Sequence, residues 1–193
     1  MAVLSLDTLK FMLDILLTDT DYDEYLDFIL SSAEKMVERE LSIYLSSQDI
    51  TVDVFGTDSA YLFLQYTPIN SINSVKEYVY TDTVELSNDI TDEVSIVDSL
   101  MGILLREQSN TIGVSAKFCK YNKYEINYNV GFSEVPEDLK YAIYQIAVKM
   151  YSLTDIQKSG VSKMTTPDGT LTYDFTLVPD SINSILDKYR KKI

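Results

Sequence analysis

The chain of 193 residues contains no histidine, no tryptophan and a single cysteine, Cys119. Without histidine neither a Ser-His-Asp nor a Cys-His catalytic arrangement can be assembled, and the nitrogen and sulfur ligand sets usual for zinc are out of reach. One cysteine closes no internal disulfide and fits a reducing compartment. The six glycines, at positions 56, 102, 113, 131, 160 and 169, never cluster, so no glycine-rich phosphate loop is present. Apolar runs long enough to span a bilayer are missing as well. The start "MAVLSLDTLKFMLDILL" places an aspartate early and no basic stretch before its apolar part. Neither a signal peptide nor a membrane span is expected. What survives is carboxylate chemistry, as paired general acid and base or as a magnesium cluster. With thirty Asp and Glu, some will lie close together by chance, so proximity alone proves little.

Basic residues are scarce too. Sixteen Lys and Arg face those thirty acids, for a net charge of -14. The imbalance sits near the start: residues 1–60 hold thirteen acids against three bases, residues 61–132 nine against five, and residues 133–193 eight of each. Such a surface cannot grip nucleic acid by neutralising phosphates, so contact with DNA should be non-adhesive. An apolar content of 46% with 24% charged residues is ordinary for a globular protein, and the length suits one domain with an appended arm.

The stretch "DTDYDE", Asp19 to Glu24, has acids at alternate positions. A calcium loop would also need a Gly at its sixth position and a Glu at its twelfth, where this chain has Glu24 and Leu30. Asp21 followed by Glu24 reads instead as a helix start, with carboxylates at the positive end of the helix dipole. Leu26, Ile29, Leu30, Ala33, Met36, Val37, Leu41 and Tyr44 then form one apolar stripe. A shorter helix is expected upstream, over residues 6–17, with Leu6, Leu9, Leu13 and Leu17 on one stripe. The two make a hairpin.

From Thr51 to Val130 the period changes to two. Strands are expected at 51–55, 61–66, 75–80, 94–97, 102–107, 112–118 and 123–130. In the last, Tyr124, Ile126, Tyr128 and Val130 point one way and Lys123, Glu125, Asn127 and Asn129 the other. "YTDTVELSNDITDE" reads as punctuation between strands, a loop or an antiparallel edge. Gly131 ends the last strand, and Pro136 opens a second apolar helix through Leu139, Ala142, Ile143, Ile146, Ala147, Met150 and Tyr151. This helix should pack on the one starting at Asp21. Beyond Tyr151, "SLTDIQKSGVSKMTTPDG" reads as flexible, "TLTYDFTLV" as a strand, and the residues after Pro179 as a short helix with Ile182, Ile185, Leu186 and Tyr189 on one side. The ending "KYRKK" either complements a helix dipole or docks on a partner.

The fold expected is α+β: a small antiparallel helical core of an N-terminal hairpin and a later long helix, with a β-rich insertion. Residues 1–151 form that core, with the insertion at about 51–130, and residues 152–193 a C-terminal arm. The order of the pieces "LSLDTLKFML", "DYDEYLDFILSSAEKMVEREL", "YTPINSINSVKEYV" and "YEINYNVGFSEVPEDLKYAIYQIAVKMY" resembles the head-tail connectors, or head-completion adaptors, of tailed bacteriophages. The ending "SGVSKMTTPDGTLTYDFTLVPDSINSILDKYRKKI" resembles that of many such adaptors. Gly160, Val161, Ser162, Pro179, Ser181, Leu186, Tyr189 and Arg190 hold the matching places. The strand-rich middle is longer than in the smallest members.

The resemblance implies a structural, non-enzymatic virion protein with no cofactor and no bound metal. It would be made in the host cytoplasm and placed in the neck. There it would form a closed ring, commonly of twelve copies, beneath the portal protein and above the next neck or tail protein. Double-stranded DNA would pass through the lumen without sequence-specific binding, and no membrane is involved. An acidic lumen that repels phosphate agrees with the charge. Tyr173, Phe175, Leu186, Tyr189 and Arg190 are the residues expected to dock the arm. Asp19, Asp21, Asp23, Glu24 and Asp27 are the acidic candidates for the lumen or ring surface. The alternatives are another neck or tail-completion ring protein, an acidic DNA mimic that binds a host protein, and a carboxylate-dependent metal nuclease.

Overall fold

A computed structural model describes residues 3–80, 85–107, 117–159, 163–166, 169–172 and 178–190. The chain divides into two compact bodies, one built from residues up to Leu41 and from Val135 to Arg190, the other from Ser42 to Glu134. Helices α1 (Leu6–Met12), α2 (Asp23–Leu41), α3 (Glu137–Ser159) and α4 (Asp180–Leu186) belong to the first. Strands β1 (Gln48–Phe55), β2 (Tyr61–Phe63), β3 (Ile69–Tyr80), β4 (Glu85–Asp89), β5 (Val94–Asp98), β6 (Ile103–Arg106) and β7 (Lys123–Val130) belong to the second. A hairpin of β8 (Lys163–Thr166) and β9 (Gly169–Thr172) follows α3. The α+β class read from the sequence is the one observed.

In the helical body α2 packs on α3, as the two apolar stripes demand. Leu26, Leu30, Ala33, Leu139, Ala142, Ile143, Ile146 and Ala147 are all fully buried there. Tyr25 meets Tyr151 with ring centroids 6.2 Å apart. Helix α4 closes on the same body through Ile182 and Leu186.

Three helix ends differ from the periodicity. Helix α1 stops at Met12 rather than Leu17, because Asp14 turns left-handed at φ 61 and the Ile15 N–H folds back to the Lys10 carbonyl at 2.9 Å. Leu17 is therefore 59% exposed and lies on no buried stripe. Helix α2 stops at Leu41, where Ser42 takes φ 54, so Tyr44 belongs to the β body and packs its ring on Tyr66. Helix α3 runs on to Ser159 through residues read as flexible, and β8 and β9 pair beyond it.

The β body holds two antiparallel sheets over one core. The first has the order β1-β7-β3-β4 and the second β2-β6-β5. The alternation read in β7 is observed residue by residue, with Tyr124, Ile126, Tyr128 and Val130 buried and their neighbours half-exposed. They meet Val75, Leu62, Leu64, Leu104 and Phe118 in that core. Gly131 ends β7 at φ +110, and a Cβ there would lie 2.2 Å from the Ser46 carbonyl oxygen. Strand β3 starts at Ile69, six residues before the expected position, and bulges twice, between Ile69 and Ser71 and between Ile72 and Ser74. The extra residues at these bulges are Asn70 and Asn73, whose amides donate to Asn129 Oδ1 and Asn127 Oδ1. Strand β4 occupies part of the stretch read as punctuation. The expected strand at 112–118 lies almost wholly outside the described residues; at its end Phe118 bridges to Ser59.

Candidate functional site

The acids of the helical body divide by what they touch. Lys10, only 2% exposed, reaches across the turn after α1 to pair with Asp23, and its ammonium also donates to the Asp19 carbonyl at 2.7 Å. Asp19 Oδ1 accepts the Asp21 N–H at 3.1 Å, a local turn that leads into α2. Asp19 and Asp23 thus shape the connection. Asp21 and Glu24 face water, and Asp27 is half-exposed. The same stretch leaves Phe11, Leu16, Leu17 and Tyr22 at 81%, 75%, 59% and 50% exposure. It is an acidic surface studded with apolar side chains.

Of the five docking candidates, Tyr173 and Phe175 lie outside the described residues. The structure brings the other three onto the helical body itself. Leu186 is buried at 2% exposure. Tyr189 donates to Asp138 Oδ1 at 2.5 Å, and Lys188 to Asp138 Oδ2 at 3.1 Å. Arg190 donates to Glu40 Oε1 and to Asp187 Oδ1, each at 2.7 Å. The Tyr189 hydroxyl and then the Lys188 ammonium hold the Asp138 carboxyl below its ordinary pKa, while burial and Asp138 push the Tyr189 phenol up. Helix α4 is clasped by charge as well as by its apolar side.

A second site escaped the sequence reading. Arg106, 4% exposed, donates to both carboxylate oxygens of Glu77 at 3.3 and 3.2 Å and to Glu93 Oε2 at 3.0 Å. Tyr124 and Asn122 add hydrogen bonds of 2.7 and 2.8 Å to Glu77 Oε1. Burial raises the Glu77 pKa, but the bonds from Tyr124, Asn122 and Arg106 outweigh it and leave the group below the usual glutamate value. The same groups hold the turn before β7. Arg106 donates to the Lys117 carbonyl at 3.1 Å, and the Cys119 N–H donates to the Tyr124 hydroxyl at 2.8 Å.

Phe118, fully buried, stacks edge-on to Tyr124 with centroids 5.1 Å apart. Gly56 presses against the turn so closely that a Cβ would come 2.1 Å from the Cys119 carbonyl oxygen. A buried network therefore fixes a rigid tip, from which Tyr121 and Phe55 project at 84% and 68% exposure. Lys117 and Lys120 are exposed beside them, and neither has a carboxylate partner among the described residues. The available signal was compositional: "KFCKYNK" holds three of the five bases between residues 61 and 132.

No helix among the described residues is long and apolar enough to cross a membrane, and no three metal-ligating side chains gather there. The sequence model of the head completion protein family matches residues 2–192. The chain belongs to the head completion protein family. The match bears out the reading of a head-completion adaptor, a structural protein of the virion neck. No curated protein matches this family member. Among solved structures, a chain from the neck of an empty gene transfer agent particle, computed with C6 symmetry, aligns at TM-score 0.63 and 14% identity, covering 98% of this chain and 90% of that one. A chain of the native gene transfer agent virion aligns at TM-score 0.62 and 16% identity over 98% and 90%. One from the native particle's neck, computed with C12 symmetry, aligns at 0.57 and 15% over 88% and 83%. At these identities the likeness shows that the head completion protein shares their fold.

Proposed function

We propose that this head completion protein is a non-enzymatic adaptor that forms a closed ring, of twelve copies, directly beneath the portal. The ring lines the channel for DNA and presents its other side to the next neck or tail protein. The observation that carries this reading is the family match over residues 2–192. The net charge of -14 supports it, since a duplex slides most freely past a surface that repels phosphate. So do the neck particles in which the similar folds occur, one computed with C12 symmetry.

In this reading the arm after Ser159 meets the portal, with Tyr173 and Phe175 as its apolar contacts. Leu186 and Tyr189 root it on the helical body, and Arg190 trades its Glu40 pairing for a portal carboxylate on docking. The acids from Asp19 to Asp27 face the lumen or the neighbouring copy. The test is electron microscopy of assembled particles with averaging of the neck. Closed ring density under the portal that accepts this fold is the expected result. Density that places the chain elsewhere, or particles that lack it, would overturn the adaptor role.

A further inference from the structure

A ring that closes by rotation joins unlike surfaces head to tail, so each copy must carry two different patches that fit one another. The described residues offer such a pair. One patch is the rigid β-body tip, with Tyr121 and Phe55 projecting and Lys117 and Lys120 beside them. The other is the turn between α1 and α2, with Phe11, Leu16, Leu17 and Tyr22 exposed among acids. Residues 7–27 hold seven acids and one base, and that base, Lys10, is buried against Asp23. Asp58 is exposed in the turn after β1, where its N–H donates to the Phe118 carbonyl at 2.8 Å, and Asp53 pairs with Lys123 at 2.9 Å, so among the described residues the cations of the tip without a carboxylate partner are Lys117 and Lys120.

We infer that the tip of one copy docks on the α1–α2 turn of the next copy in the ring, Tyr121 and Phe55 among the apolar side chains and Lys117 and Lys120 against the acids. This deepens the adaptor reading and rests on it.

Three features favour a second copy as the occupant. Both patches are on the same chain, so one contact repeated around the ring covers both. They are opposite in charge, which sets register and suppresses tip-to-tip or turn-to-turn pairing. The tip is held in shape before binding by Glu77, Arg106 and Tyr124, which lowers the ordering cost of docking an exposed aromatic.

The experiment is a charge swap read in assembled particles. The variants are Lys117→Glu with Lys120→Glu, Asp21→Lys with Glu24→Lys, and all four together, each checked for native circular dichroism; the four side chains face water, so the fold should survive. Copies of this chain per neck are then counted. Each double variant is expected to lower that count at least about tenfold, because a like-charge contact costs more than one decade in affinity. The four-residue swap should restore it. Normal counts in either double variant, or no recovery in the combination, would overturn the contact while leaving the adaptor role intact. Absence of the parent chain from particles would overturn the adaptor role and this contact with it.

Discussion

The helical body and the β body each bury a glutamate, and they hold it in opposite ways. Glu34 on α2, 4% exposed, accepts the N–H groups of Leu4 and Val3 at 2.7 and 2.9 Å and so clasps the start of the chain. Burial raises its pKa more than those two bonds lower it, and Glu38 one turn away adds like charge. Glu77 on β3, 6% exposed, has a guanidinium, a phenol and an amide around it, and its pKa falls. Two backbone dipoles do not replace water for a carboxylate; a buried cation with two further donors does. The difference assigns the bodies different characters. The Glu77 charge in the β body is fixed and stiffens the tip, whereas the Glu34 charge in the helical body is held at a cost.

The largest effect should come from taking the cation out of the β body. Arg106→Met leaves Glu77 and Glu93 facing each other unneutralised and is expected to cost about 3–5 kcal/mol in urea unfolding. Pairing it with Glu77→Leu should return most of that loss. If the single variant unfolds like the parent, the contrast between the two glutamates collapses.

A sharper form compares Glu77→Gln with Glu34→Gln. The first should cost about 2–3 kcal/mol, because it weakens charge-assisted bonds inside a buried network. The second should cost under about 1 kcal/mol at neutral pH, because removing a strained charge offsets the weaker clasp. Equal losses would show that the surroundings of the two carboxylates do not matter.

Smaller again is Tyr189→Phe, which removes the bond to Asp138 while keeping Leu186 packed. A loss of about 1 kcal/mol is expected, read as earlier proteolysis after Ser159.

The smallest expected effect is a difference in pH slope. Glu77 has a lowered pKa, so its contribution is fully present above the ordinary glutamate value of about 4.3 and is lost as pH falls through its folded value. Glu34 has a raised pKa, so its contribution is fully present below about 4.3 and is lost as pH rises through its folded value. Urea midpoints across acidic to neutral pH should therefore change in favour of Glu34→Gln over the parent as pH rises, and against Glu77→Gln. Parallel curves would refute the opposite assignments.

What was legible in the sequence is what repeats locally. The stripes of α2 and α3 and the alternation of β7 follow from periods of 3.6 and 2, because a side chain's face is set by its own neighbours. The order of these pieces also carried the family resemblance. Strand β4 was legible only as one of two alternatives, a loop or an antiparallel edge: residues 86–89 are all exposed, so the edge strand there has no inside to alternate with and exists only through its pairing to β3. The end of α1 was hidden in the same way, since the turn there is held by Lys10 reaching Asp19 and Asp23 from an earlier helical turn.

By itself, then, the sequence determined the element types, the excess of acid and the chemistry that histidine and cysteine would have supplied. Only the tertiary structure decided that Arg106, Glu77 and Tyr124, 29 and 47 residues apart about Glu77, meet in one buried network. It also decided that Leu186 and Tyr189 turn inward and that Tyr121 turns outward. Charge and exposure at a point depend on which distant segments surround it, and no local period encodes that.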